Sequence, residues 1–186
     1  MEDWEIAAAL KIAPQVISLY IRLKLMTGLR RGDILRLRLP DVHDDGIHVQ
    51  PHKTAKTTGK RLIIEWNEDD QLQAVISGIQ RLPPRRIGDA PLFVTRQGKP
   101  YIKEDGSANA FDSLWQRFMR KALDQTDLTE RFQERDLRAK VASESASLEE
   151  ASERLAHAST ATTKRIYRRK PARVKPLILG VTKSKK

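Results

Sequence analysis

The sequence predicts an α+β fold, a mostly α-helical domain with a small antiparallel β-sheet near its N-terminal third. Three observations lead there. Apolar residues recur at three-to-four spacing along most of the 186 residues. One early segment, 46–66, changes to alternation and β-rich runs. The apolar runs are only a few residues long, far short of the roughly 20 that a membrane span needs.

The elements follow in order. Helices are predicted over 4–12 and 15–28, the second with Val16, Leu19, Tyr20, Leu23 and Met26 or Thr27 on one stripe. Pro14 stands where a first turn tolerates it, and Gly28 ends that helix. Asp33 to Leu39 reads as a short helix stopped by Pro40. Ile47 and Val49 alternate with His48 and Gln50, and Leu62 to Trp66 forms a second β-rich run. Pro51 to Lys60 between them is a polar loop, so 46–66 is expected to be a hairpin. Asp69 to Arg81 is helical, with Leu72, Val75, Ile76 and Ile79 on one face, and Pro83-Pro84 breaks it. A short strand at Leu92–Val94 and a turn around Gln97–Pro100 lead to a helix from Ala108 to Leu123. That helix presents Phe111, Leu114, Trp115, Phe118 and Met119. Helices over 134–144, 147–156 (with Ser147 and Glu150 as a capping box) and 160–169 complete the domain.

Charge is distributed unevenly. The chain carries 35 Lys and Arg against 24 Asp and Glu, a net +11. The last 23 residues, Lys164 to Lys186, hold ten of those bases and no acid, leaving 25 bases and 24 acids elsewhere. A balanced body with a basic C-terminal segment implies a polyanionic partner. With no cysteine there is no disulfide scaffold, thiol nucleophile or thiolate metal site. The first ten residues carry three acids and a Trp, unlike a signal or transit peptide. No metal or cofactor is expected. His48 and His52 fall on a strand and a loop, where an i, i+4 spacing makes no common face. Asp41, Asp44 and Asp45 lack calcium-loop spacing, and no phosphate-binding glycine loop is present.

Four segments put polar groups at turns or helix ends. They are Thr27-Gly28-Leu29-Arg30-Arg31-Gly32-Asp33, Lys53-Thr54, Arg135-Asp136-Leu137-Arg138, and His157 with Tyr167 ten residues on. Singly each has an ordinary explanation, such as a solvated cap or a snorkelling surface residue. In this order and spacing, from about Ile17 to Pro176, the set resembles the catalytic domain of the tyrosine recombinases, in particular phage and prophage integrases. The match runs through Arg30 in a TGLR turn, Asp33 three residues on, and Lys53 on a hairpin. It continues with Arg138 in a His-x-x-Arg-like pair, His157 near a Gly-His-Ser-like turn, and Tyr167. The sequence departs from the pattern at Arg135, where the family has His, and at Ala156 in place of Gly. The gap from Arg138 to His157 is shorter, and Tyr167 lies one residue further on.

The resemblance implies catalysis by Arg30, Lys53, Arg138, His157 and Tyr167, with Asp33 and Arg135 in support. It implies DNA contacts from Arg31, Lys56, Lys60, Lys164, Arg165, Arg168 and Arg169. The chemistry asks for the same residue types. A phenol can attack phosphorus and keep the strand break reversible. Two guanidiniums fit phosphate oxygens and bind more tightly as charge develops. A Lys whose pKa is lowered by nearby cations can protonate the leaving 5′ oxygen. Lys53 takes that role, with Lys56 in the same loop as second choice. Arg135 remains protonated near neutral pH, so it can touch phosphate but not act as a base.

On this reading residues 1–170 form the catalytic domain and 171–186 a basic tail, whose Leu177, Ile178 and Val181 are available to a neighbouring protomer. The DNA-gripping domain that precedes the catalytic one in the family is expected to be absent. The partner is double-stranded DNA at attachment sites. The full-length protein is expected to act as a homotetramer on DNA, the isolated chain to be a monomer, and the protein to be cytoplasmic and DNA-associated, bacterial or phage-encoded. Two other readings stay open: a degenerate integrase remnant that only holds DNA, and topoisomerase-like relaxation by the same chemistry.

Overall fold

The computed structural model describes residues 1–52, 61–66, 68–145, 147, 151 and 155. The α+β architecture is as the sequence predicts. Among the described residues there are six α-helices and a three-stranded antiparallel sheet of order β1-β2-β3.

α1 (Asp3–Ile12) ends at Ala13, held extended by Pro14. α2 (Gln15–Thr27) begins on the Pro14 carbonyl, which accepts the Ile17 and Ser18 N–H groups at 2.9 Å each. It is the central helix, burying Ile17, Tyr20, Ile21 and Leu23, and it packs against α4 (Gln71–Arg81) and α6 (Glu134–Glu144). Each such side chain contributes about 1.5–3 kcal/mol by leaving water. α5 (Asn109–Gln125) packs on α1 and points Phe111, Trp115, Phe118 and Met119 inward. Leu114, expected on that face, is only half-buried. Tyr20 joins the two halves of the core, its ring 4.6 Å from Phe111 and 5.9 Å from Phe93.

The expected short helix is α3, but it spans Arg31–Arg36 rather than 33–39. Arg30 is extended and caps it, so the helix starts two residues early. Leu37 leaves the helical region, and Leu39–Asp41 forms a separate 3₁₀ turn containing Pro40. The sheet also differs from a plain hairpin. β2 (Gly46–Val49) pairs with β3 (Leu62–Glu65) in the register Val49 to Leu62, and β1 (Val42–His43) adds on the other side of β2. Val42 against Ile47, across the turn that holds Asp44 and Asp45, makes β1 and β2 a strand pair.

α4 starts at Gln71 because Asp70 adopts a left-handed φ of 55° and Asp69 caps the Gln71 N–H. The strand expected at Leu92–Val94 is not one. Isolated bridges, Arg38 to Pro91 and Val94 to Pro100, stand there, since prolines cannot donate to a ladder. The turn at Gln97–Pro100 is present, with Gly98 at φ 76°. α6 has the expected bounds. Beyond it the helical bonds Ala151 N–H to Ser147 and Leu155 N–H to Ala151 continue the predicted 147–156 segment. Glu150 of its capping box, the 160–169 helix and the basic tail lie outside the described residues. No described helix is long and apolar enough to cross a membrane.

Gly46 is the tightest backbone position. Its φ is 149°, and a Cβ there would lie 2.3 Å from the Ile64 carbonyl oxygen. Gly46→Ala is expected to destabilise the domain by more than about 2 kcal/mol. Gly88→Ala, at φ 58° but in open space, should cost only about 1 kcal/mol. Equal losses in urea unfolding would show that the β2–β3 contact is not the constraint described.

Candidate functional site

The site is built around the turn between α2 and α3. Gly28 supplies the left-handed residue (φ 65°) that ends α2, its N–H bonded to the Lys24 carbonyl at 2.8 Å. The Thr27 hydroxyl donates to the Leu23 carbonyl at 2.7 Å and accepts the Leu29 N–H at 3.3 Å. Arg30 then caps α3, its carbonyl accepting Asp33 and Ile34 N–H groups at 3.0 Å each. Its backbone is thereby fixed while its guanidinium keeps 23% exposure.

Three other segments meet this turn. Arg138, on the inner face of α6, is 4% exposed. Its Nη1 donates to the Gly28 carbonyl and its Nη2 to the Leu155 carbonyl at 2.8 Å. One guanidinium thus ties the turn to the segment that leads on to His157. Asp33, on α3, faces Arg30 at 4.0 Å, and its Oδ1 accepts the His52 N–H at 2.9 Å. His52 immediately precedes Lys53 in the sequence. The Arg138 guanidinium thus binds the turn that carries Arg30, and Asp33 lies beside the Arg30 side chain. Lys53, Lys56, Lys60, His157, Lys164, Arg165, Tyr167, Arg168 and Arg169 lie outside the described residues.

Arg31 and Arg135 stand on an adjoining recess of about 550 Å³, walled by Asp112, Trp115, Phe132 and Glu134. Arg31 pairs with Asp112 at 2.5 Å. Arg135 is exposed and has no ion-pair partner among the described residues. Among those residues, no three His, Asp or Glu side chains are placed to hold a metal.

A buried polar network beneath the turn was not foreseen. Lys24, 1% exposed, donates to the Leu29 carbonyl at 3.2 Å and pairs with Glu134. The Tyr20 hydroxyl donates to the same carboxylate oxygen at 3.0 Å. A signal was available: Lys24 falls on the stripe of Tyr20, Leu23 and Thr27, where an apolar residue belongs. Burial, reinforced by the neighbouring carboxylate, pushes the Tyr20 phenol well above its ordinary 10.0. Burial pulls the Lys24 ammonium below its ordinary 10.5, against the opposing pull of Glu134.

The family model described as Phage integrase family matches residues 4–173. The fold is similar to a lambda integrase(75-356) dimer bound to a COC′ core site, with TM-score 0.66 and 18% identity, over 94% of this chain and 62% of that one. It is similar to XerA recombinase with TM-score 0.69 and 19% identity, over 92% of this chain and 60% of that one. A lambda integrase tetramer bound to a Holliday junction gives TM-score 0.66 and 18% identity, over 94% and 50%. The chain thus spans from half to 62% of the length of these structures. At such identities the likeness is one of fold. No curated protein sequence matches.

Two outcomes follow from the geometry. Arg138→Ala leaves buried carbonyls without their donors and should lower stability by about 1–3 kcal/mol or more. Arg30→Ala, whose 4.0 Å contact is partly screened by solvent, should cost under about 1 kcal/mol. Equal losses in denaturant titration would show that Arg138 does not bind the segments together. The second concerns pH. Tyr20 has a raised pKa in the folded state, so its contribution is whole below about pH 10 and is lost as pH rises through the folded value. Lys24 is shifted the other way, so its burial penalty fades as pH climbs towards 10.5. The stability difference between the parent and Tyr20→Phe should therefore hold steady from about pH 8 to 10 and shrink above it. A difference that is flat to pH 11 would contradict the buried phenol–carboxylate bond.

Proposed function

Because the chain belongs to the phage integrase family, we propose that it is the strand-cleaving and rejoining domain of a site-specific DNA recombinase, working through a 3′-phosphotyrosine at Tyr167. The observation that carries this reading is the convergence on one turn. Arg138 binds the Gly28 carbonyl two residues before Arg30, and Asp33 lies beside Arg30 and binds the backbone next to Lys53. Arg138 also binds the carbonyl two residues before His157. Segments more than a hundred residues apart in sequence are gathered where one backbone phosphate would sit.

The reaction is a transesterification. The Tyr167 oxygen attacks the scissile phosphorus, the P–O5′ bond breaks, and the phosphate is left esterified to the phenol. The phenol's proton passes to water as it attacks, Lys53 gives one to the departing 5′ oxygen and regains one from water, so the protons balance. Arg30 and Arg138 hold the two equatorial oxygens as charge builds on them. His157 hydrogen-bonds the phosphate and orients the phenol. Arg135 adds a fixed positive charge where the family carries a titratable group. Attack by a 5′ hydroxyl on the phosphotyrosine rejoins the strand without an energy source. The DNA partner is a duplex, held by Arg31, Lys56, Lys60, Lys164, Arg165, Arg168 and Arg169. The assembly that completes exchange is a tetramer on two sites.

Arg135 favours a second reading, in which the chain holds DNA without cutting it. A nicked suicide duplex separates the two. The recombinase reading expects a denaturant-resistant protein–DNA adduct that Tyr167→Phe abolishes and Arg30→Ala slows by about 10²-fold or more. Salt-dependent binding with no adduct, unchanged by Tyr167→Phe, supports the holding role. An adduct that survives Tyr167→Phe refutes the assigned nucleophile. Relaxation of a plasmid lacking any attachment site would mark the topoisomerase-like activity.

A further inference from the structure

Lys24 sits where the two arginine-bearing elements meet. The Leu29 carbonyl that it binds belongs to the peptide whose nitrogen is that of Arg30. Its ion-pair partner Glu134 opens α6, one helical turn before Arg138. The ammonium lies 5.8 Å from the centre of the Tyr20 ring, and the Tyr20 hydroxyl bonds the same carboxylate. Lys24 therefore contacts, at one atom, the backbone leading into Arg30 and the first residue of the helix carrying Arg138. Stability alone is a weak reason for this arrangement. Burying an ammonium and a carboxylate costs several kcal/mol per ion, and well-packed apolar residues of similar volume usually do as well or better. What an ion pair adds is direction: Nζ has three donors at fixed angles, and an apolar contact tolerates sliding.

We infer that Lys24, together with Glu134 and Tyr20, is a positioning residue that sets the turn bearing Arg30 against the helix bearing Arg138. The inference rests on the recombinase reading above, since it is there that the two guanidiniums must share a phosphate. Lys24 does not touch substrate. It acts through the Leu29–Arg30 peptide and the first turn of α6.

The test separates geometry from stability. Lys24→Met alone leaves the Glu134 carboxylate without its cation and should lower the unfolding midpoint. Lys24→Met/Glu134→Gln removes both charges, keeps an acceptor for Tyr20, and should restore that midpoint. In the double variant, adduct formation on a saturating suicide duplex is expected to stay at least about tenfold slower than in the parent, with DNA affinity within about threefold. Recovery of cleavage together with the midpoint would reduce the pair to a strut and overturn the inference. A readout independent of activity accompanies it. In the ¹⁵N-labelled full chain, the Nε–H cross-peaks of Arg30 and Arg138 should shift or broaden in the double variant, and that of Arg38 should not. If the parent forms no adduct, the recombinase reading fails by itself. Arg30 and Arg138 cross-peaks unchanged in the double variant then refute the positioning role separately.

Discussion

The hold of one buried guanidinium on the Gly28 carbonyl is the constraint on which the rest of the structure depends. An arginine at 4% exposure is tolerated only where its donors are satisfied. Here its two Nη groups donate to main chain from two distant segments, Gly28 and Leu155. The cost of desolvating the charge therefore becomes a means of assembly. The carbonyls that Arg138 holds are those of a left-handed helix end and of a segment following α6. Side-chain burial brings α2, α4, α5 and α6 together, but polar bonds fix how the turn meets α6.

Arg30 and Arg138 consequently differ in kind although one phosphate would use both. Arg30 has its backbone locked as the cap of α3 and its side chain left partly open. Arg138 has its side chain locked and its charge directed from inside. A site of this form has one preset cation and one that can adjust, with Asp33 holding the adjustable one near its station and binding the His52 backbone at the base of the hairpin. Lys24 and Glu134 lie under both.

Much of this was legible in the sequence, for identifiable reasons. The long helices carry uninterrupted three-to-four stripes, and α6 was bounded correctly because Glu134 and Asp136 mark its first turn and the stripe of Leu137 and Val141 its inner face. Gly28 announced its own role, since few other residues enter the left-handed region cheaply. Short elements failed where tertiary contacts decide. β1 exists because Val42 faces Ile47 across a tight turn, which no propensity over two residues reveals. The segment around Leu92 has strand-like residues, but Pro91 and Pro100 limit it to bridges. The Arg30–Asp33 pairing could be anticipated from an i, i+3 spacing. The Lys24–Glu134 contact could not be located from spacing, because it joins positions 110 residues apart.

The aromatic cluster around Trp115 has an optical consequence. The chain holds three tryptophans, and their surroundings differ sharply. Trp4 is half in solvent, Trp66 donates its indole N–H to the His43 carbonyl at the sheet edge, and Trp115 is 6% exposed. Trp115 stacks edge-on with Phe132 at 6.0 Å and forms part of the wall of the recess shared by Arg31 and Arg135. The emission of an indole shifts with the charge and polarity around it. With Trp4 and Trp66 replaced by phenylalanine, the remaining fluorophore becomes a built-in reporter of the arginine-lined wall, readable in real time and without a dye.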